Sequence, residues 1–215
     1  LTDNLLIMPT SICASVLLMH RKGISDEELT KQVGYLIEVL KARNAHLPSF
    51  CQEAKNCVKK GTFHLNETVS KKKDIFEPRV VPKVDYKNIL LLSYYRNNLV
   101  HLFISEAIIT CSLFGFGHHH AWQKGVTKEE LWEKVLFISN LLRNEFVLTT
   151  NFKTVEDYER TLKFMTENGT IAENEDGHII LGSEAENHVN YLNSCLLYTS
   201  PSPRDLSTSR MPSSA

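Results

Sequence analysis

The sequence predicts a mainly α-helical protein of the α+β class, on three observations. Apolar residues recur three and four positions apart through most of the chain, the period of a helix with one buried face. Two of these runs open on a hydroxyl residue with a glutamate three positions later, Ser25/Glu28 and Thr127/Glu130, the pattern in which side chain and backbone cap each other at a helix start. Period-two alternation is confined to short stretches, enough for a few small strands.

Taken in order, Leu6 to Gly23 holds Pro9 and then an apolar run from Ile12 to Met19 closed by basic residues and Gly23. That is a short buried helix with a defined stop. In the next helix Ile24 and Leu29 staple the entry, and Leu29, Val33, Leu36, Ile37 and Leu40 form the buried stripe. A short helix from Phe50 to Lys60 leads into Phe63 to Val69, read as a strand, then a basic turn from Ser70 to Lys73 and a second strand around Phe76 to Val81. Pro78 and Pro82 lack the N–H that a ladder uses, which makes the second strand an edge at best.

Asn88 to Gly117 is the longest apolar block and has no proline inside it, so one continuous helix is expected as far as Phe114. Arg96, Asn97, Asn98, His101 and Glu106 interrupt it. An ion at bilayer depth costs about 2.5–3.5 kcal/mol, which favours a buried or membrane-leaning helix over a transmembrane span. Gly117 to Gly125 reads as a loop. His118, His119 and His120 within it are solvated rather than metal ligands, because three consecutive side chains cannot converge on one ion from a helix or strand. A stapled helix follows with the core stripe Leu131, Val135, Ile138 and Leu142, then a helix from Thr154 to about Asn168 and two short strands around an Asp176-Gly177 turn. This helix–helix–hairpin order resembles a winged-helix unit. Its second helix carries Glu156, Asp157, Glu159 and Glu167 against Arg160 and Lys163, a face that would repel DNA.

Composition agrees with that exclusion. Lys+Arg 24 against Asp+Glu 25 leaves a net charge of -1, without the basic excess that phosphate-backbone binding needs. The five cysteines form no C-x-x-C pair and no dense framework, as expected of reduced thiols. The chain opens at Leu1, so a targeting segment ahead of it is not readable. Cys195 to Ala215, CLLYTSPSPRDLSTSRMPSSA, has no period. Its residues are those that a transposon-library sequencing adapter spells when translated, and the segment is expected to make almost no tertiary contacts.

On a helical wheel at about 100° per residue, Lys87, Tyr94, Asn97, Asn98, His101, Ser105 and Ser112 share one arc of the long block. Such a stripe is satisfied inside the fold, lines a ligand cleft or meets a partner or membrane, because each unpaired buried polar group costs about 1–3 kcal/mol. Tyr94, Asn97, Asn98, His101 and Ser105 are the candidate site residues for a cleft. No catalytic, cofactor-binding or metal-binding residue is read from the sequence.

Ala14–Ile24 (ASVLLMHRKGI) with the Glu-rich amphipathic helix after it, and Ser93–Phe114 (SYYRNNLVHLFISEAIITCSLF), resemble the glycerol-3-phosphate acyltransferases of the bacterial and mitochondrial type. The likeness is closest over Leu6 to Gly117 and looser over Thr127 to Asn190. It implies transfer of an acyl group from acyl-CoA or an acyl-carrier thioester to the 1-hydroxyl of glycerol 3-phosphate, in association with a membrane, the mitochondrial outer membrane first among them. Acyl-CoA is then a co-substrate, with no bound cofactor and no nucleic acid. A dihydroxyacetone-phosphate acyltransferase of ether-lipid synthesis would differ only in acceptor. A non-catalytic helical interaction module is the alternative from another class. In the family, the His of a His-x4-Asp motif, oriented by the Asp, takes the proton of the attacking hydroxyl. None of the nine histidines here has an aspartate five residues on. The chain is therefore expected to lie C-terminal to that motif and to be inactive alone. Residues 1–117 would be the end of an α/β acyltransferase domain and the helical region after it, 118–194 a small helix–helix–hairpin domain, and 195–215 an artefactual tail.

Overall fold

The computed structural model describes residues 6–20, 22–73, 78–82, 86–143, 152 and 154–197. They fall into two compact units that meet between Leu99 and Val100. The division expected after Gly117 lies inside the second unit. The fold is mainly helical with two small antiparallel sheets, as the sequence predicts.

In the first unit α1 (Pro9–Met19) has proline in its first turn, where the missing N–H costs nothing. Ten of its eleven residues are buried, so it is a core helix rather than an amphipathic one. The two-residue strand β1 (Ile24–Ser25) runs into α2 (Asp26–Ala42), whose first turn is closed by Glu28 N–H donating to Ser25 Oγ at 3.2 Å. All five predicted core positions of α2 are buried. Ser25→Ala removes that acceptor and is expected to destabilise the unit by about 1 kcal/mol, read as a fall of about 2–4 °C in the melting temperature of the chain.

A 3-10 turn at Ser49–Gln52 precedes α3 (Ala54–His64). The strand expected at Phe63 to Val69 is not formed: α3 continues to His64, and β2 is Val69–Lys73. The basic segment read as a turn is thus a strand, with Lys71 opposite Val80 of β3 (Pro78–Pro82). β3 is also not an edge, because the sheet order is β1-β3-β2. The prolines are tolerated for a local reason. They stand at the ends of β3, while β1 pairs only with Arg79 and Val80 between them.

Gly61 sets the distance between α1 and α3, since a Cβ there would strike Cys13 Sγ and come within 2.8 Å of the Pro9 carbonyl oxygen. Cys13, Cys51 and Cys57 are fully buried in this core as free thiols. Burial and a hydrogen bond with Cys57 push the Cys51 thiol up to about 12, and a hydrogen bond with Cys13 together with burial raises Cys57 further. These are inert packing groups. The unit closes with α4 (Tyr86–Val100).

The expected single helix from Asn88 to Phe114 is two helices. α4 ends at Val100, residues 101–103 form a turn closed by Phe103 N–H on the Val100 carbonyl at 2.9 Å, and α5 (Ile104–Phe114) begins afresh. Periodicity did not show this break, because residues 101–103 contain neither proline nor glycine. Among the described residues no single helix is long and apolar enough to cross a membrane.

In the second unit α5 is the central helix, with eight of its eleven residues buried. The segment expected as a loop is mostly helical: His118 and His119 start a turn that continues as a π-helical turn over His120–Lys124. It stops at Gly125, whose φ of 78° suits glycine. Val126 then bridges Ile179, and α6 (Lys128–Leu142) starts on the complete Thr127/Glu130 capping box. Leu131 and Val135 are buried as predicted. Ile138 and Leu142 are only half-buried, with Ser139 taking the deeper position. α7 (Val155–Glu167) is held on α6 by Tyr158, which stacks on Trp132 at 5.0 Å and donates its hydroxyl to the Lys128 carbonyl at 3.0 Å. β4 (Ile171–Glu173) and β5 (Ile179–Leu181) pair around a tight loop in which Asn174 Oδ1 accepts from the N–H groups of Asp176 and His178. The predicted helix–helix–hairpin order is therefore present.

The last element, α8 (Glu186–Leu197), has no counterpart in the sequence reading. It packs along α5. Cys195 and Leu196 are buried, which corrects the expectation that everything from Cys195 onward lies outside the fold. Residues 198–215 lie outside the described ones.

Candidate functional site

The five candidate site residues, taken from the expected seven-residue stripe, are not carried on one helix. Tyr94, Asn97 and Asn98 stand exposed on α4 of the first unit, with Leu90 and Leu91 exposed on the same helix. Tyr94 packs edge-on against Tyr95 at 6.0 Å, and Asn97 Oδ1 accepts from Nη2 of the buried Arg96 at 3.2 Å. His101 lies half-buried in the turn after α4, and Ser105 half-buried in the first turn of α5. The outward face of α4 thus mixes amides with leucines and a tyrosine, and is not a purely polar stripe.

The polar groups of α5 behave differently. Thr110 and Ser112 are buried, and their hydroxyls donate to carbonyls of their own helix, Thr110 to Glu106 at 3.1 Å and Ser112 to Ile108 at 2.7 Å. Cys111 Sγ lies 3.4 Å from Asn193 Oδ1 of α8, and burial pushes its thiol up to about 12. Glu106 is buried, and its Oε2 lies 3.6 Å from Nε2 of His188 on α8, with side-chain exposures of 6% and 8%. Phe103 stands beside this pair, 5.0 Å from the Tyr191 ring and 6.4 Å from the His188 ring. The α5–α8 contact is a sealed polar seam inside an apolar interface.

Chemically, a histidine beside a carboxylate is the arrangement of an oriented general base. Glu106 meets a histidine 82 residues later in the chain, His188. Both side chains are more than nine-tenths buried beside Phe103, and neither lines the cavities of about 1110 and 360 Å³. A base must reach its substrate's proton within hydrogen-bonding distance, and here the buried pair joins two helices, α5 and α8. Among the described residues no group of three or more His, Cys, Asp or Glu side chains is placed to hold a metal ion.

Sequence reasoning missed the pair because α8 was cut short by the tail reading. The signal was present. Val189, Leu192 and Leu196, with Tyr191 and Cys195, recur three and four apart and are all buried.

Residues 1–200 match the family described as the glycerol-3-phosphate acyltransferase C-terminal region. The chain belongs to this family. The match takes in α8 and so agrees with its packing into the fold. Among curated relatives, the mitochondrial glycerol-3-phosphate acyltransferase 1 of Sus scrofa is 29% identical over 85% of this chain and 23% of its own length. That of Homo sapiens is 29% identical over 84% and 23%. The glycerol-3-phosphate acyltransferase of Alteromonas mediterranea is 28% identical over 65% of this chain and 16% of its own. The chain therefore spans less than a quarter of the length of these family members.

Proposed function

We propose that this chain is the C-terminal part of an enzyme that transfers an acyl group from acyl-CoA to the 1-hydroxyl of glycerol 3-phosphate, feeding phospholipid and triacylglycerol synthesis. The observation that carries the reading is the family match over residues 1–200. The names of the bacterial and mammalian relatives supply the substrate, glycerol 3-phosphate, and those of the mammalian ones supply a mitochondrial address. In this reading the enzyme works in association with the mitochondrial outer membrane. The reading assigns no nucleic-acid partner, since a net charge of -1 lacks the basic excess that phosphate-backbone binding needs.

The chain's own contribution is structural. In the reaction the acceptor hydroxyl attacks the thioester carbonyl as a base removes its proton, and the thiol of coenzyme A leaves. The His188–Glu106 pair is closed off from such a hydroxyl, so the base stands elsewhere in the complete polypeptide. α5 and α8, locked by that pair and by Phe103–Tyr191, form a rigid support. The test is acyl transfer by the complete polypeptide, followed as release of coenzyme A thiol from palmitoyl-CoA. Release that depends on glycerol 3-phosphate is expected. Release that needs dihydroxyacetone phosphate instead, or no release with either, would contradict the reading.

A further inference from the structure

In the second unit a groove of about 360 Å³ lies between α7 and β4. Its α7 wall is one helix face, Glu159, Leu162, Lys163, Thr166 and Glu167, spaced three and four apart. Its other wall is the strand. Successive strand residues point to opposite faces of a sheet, so a groove lined by Ile171, Ala172 and Glu173 together runs along the edge of β4 rather than over one face. Its apolar lining is Leu162, Ile171 and Ile179, all buried. Thr166 commits its hydroxyl proton to the Leu162 carbonyl at 3.0 Å.

That edge carries backbone groups aimed away from the sheet. Gly182 N–H donates to the Thr170 carbonyl and Asn174 N–H to the His178 carbonyl, each at 2.9 Å. Hydrogen-bonded pairs in an antiparallel ladder recur at every second residue. Thr170, Ala172 and Asn174 therefore turn their amides toward β5, while Ile171 and Glu173 turn theirs outward. The same alternation leaves Ile179 facing out on the far side of β5, where it exchanges bonds of 2.9 and 3.1 Å with Val126. Among the described residues the outer side of β4 has no such partner. An edge of this kind is a template for another strand.

The charge beside it converges on one cation. Lys128 donates to Glu173 at 2.7 Å. The hydrogen bond and field of Glu173, with Glu129 and Glu159 adding to them, hold its ammonium above the usual lysine range. One ammonium is thus met by three carboxylates. Lys163 does not offset the excess, because it is matched by Glu167 at 4.0 Å. Both ion pairs are exposed, the kind worth little, so an arriving cation competes with weak contacts only.

We infer that this edge binds an extended basic peptide: its backbone adds a strand to β4 through Ile171 and Glu173, one aliphatic side chain fills the groove over Leu162 and Ile179, and a neighbouring lysine or arginine meets Glu159 and Glu173. Main-chain bonds supply affinity in such a mode, and the pocket and charges supply selectivity. The site is read from the second unit alone and stands independently of the acyl-transfer reading.

The test is titration of the chain with acetyl-Lys-Arg-Leu-Lys-Arg-amide, beside the same peptide with serine for leucine and beside acetyl-Glu-Asp-Leu-Asp-Glu-amide, with amide hydrogen exchange followed by NMR. Saturable one-to-one binding of the first is expected, the other two being weaker by at least about tenfold. At saturation the Ile171 and Glu173 amides should exchange at least about tenfold more slowly, while Ala172, already bonded to β5, changes little. Glu159→Gln/Glu173→Gln should weaken binding at least about tenfold and leave the melting temperature unchanged, because both side chains are exposed. Equal affinity for the serine or the acidic peptide, unchanged affinity in the double variant, unaltered exchange at Ile171 and Glu173, or no binding would each overturn the inference. So would exchange at these two amides that slows in the peptide-free chain as its concentration rises, which would place a second copy on the edge.

Discussion

Glu106→Ala is expected to lower the unfolding free energy of the second unit by about 1–3 kcal/mol, the cost of leaving a buried polar group without a partner. That is a large share of the stability of an ordinary domain. Both side chains are more than nine-tenths buried at 3.6 Å, so the alanine leaves His188 in an apolar interface without its carboxylate and opens a void beside Phe103. Helix propensity does not offset this, since alanine favours a helix by less than about 1 kcal/mol. The measurement is urea unfolding of the chain followed by circular dichroism. Glu106→Met/His188→Leu, which replaces both members by apolar groups of similar size, should recover part of that loss, because it removes the imidazole that the alanine leaves facing apolar groups. A single variant within about 0.5 kcal/mol of the parent would show that the seam carries no stability.

The second large effect is on activity. The purified chain alone is expected to leave palmitoyl-CoA and glycerol 3-phosphate unreacted, while the complete polypeptide turns them over. Loss of a general base removes about 10²–10⁴ in rate before missing substrate contacts are counted. None of the nine histidines has the family's aspartate five residues on, and the described histidine that does meet a buried carboxylate is enclosed. The measurement is release of coenzyme A thiol by the chain beside buffer. Turnover above background that disappears in His101→Ala or His188→Leu would place a catalytic centre within these residues and contradict the proposal.

Much of the helical framework was legible because its signals are local. The capping residues Ser25, Thr127 and Thr154 each accept from the backbone three residues on, and the stripe of α2 is buried at every predicted position. What failed depended on partners distant in sequence. Two prolines read as edge markers sit in a central strand, because whether a missing N–H matters depends on which residues a neighbour engages. Lys71 to Lys73 read as a turn by charge and form a strand through pairing with β3. The break at residues 101–103 carries no breaker residue, since they contain neither proline nor glycine. Of the five candidate site residues, three proved exposed on α4 and two half-buried at the start of the second unit, while the buried carboxylate–imidazole contact on α5 belongs to Glu106. Its partner lies on a helix whose last turn the composition of the tail concealed.

The central claim is that these residues support an acyltransferase and supply none of its proton transfer. It is tested most directly by the steady-state kinetics of the complete polypeptide carrying Glu106→Met/His188→Leu, which removes the enclosed histidine–carboxylate pair and keeps its volume filled. The account predicts a folded protein that retains kcat and kcat/KM for glycerol 3-phosphate within about threefold, with the same pH profile, since less than about 1 kcal/mol of transition-state stabilisation is touched. A folded variant whose kcat falls by about 10²-fold or more, or whose pH profile loses a limb, would contradict it.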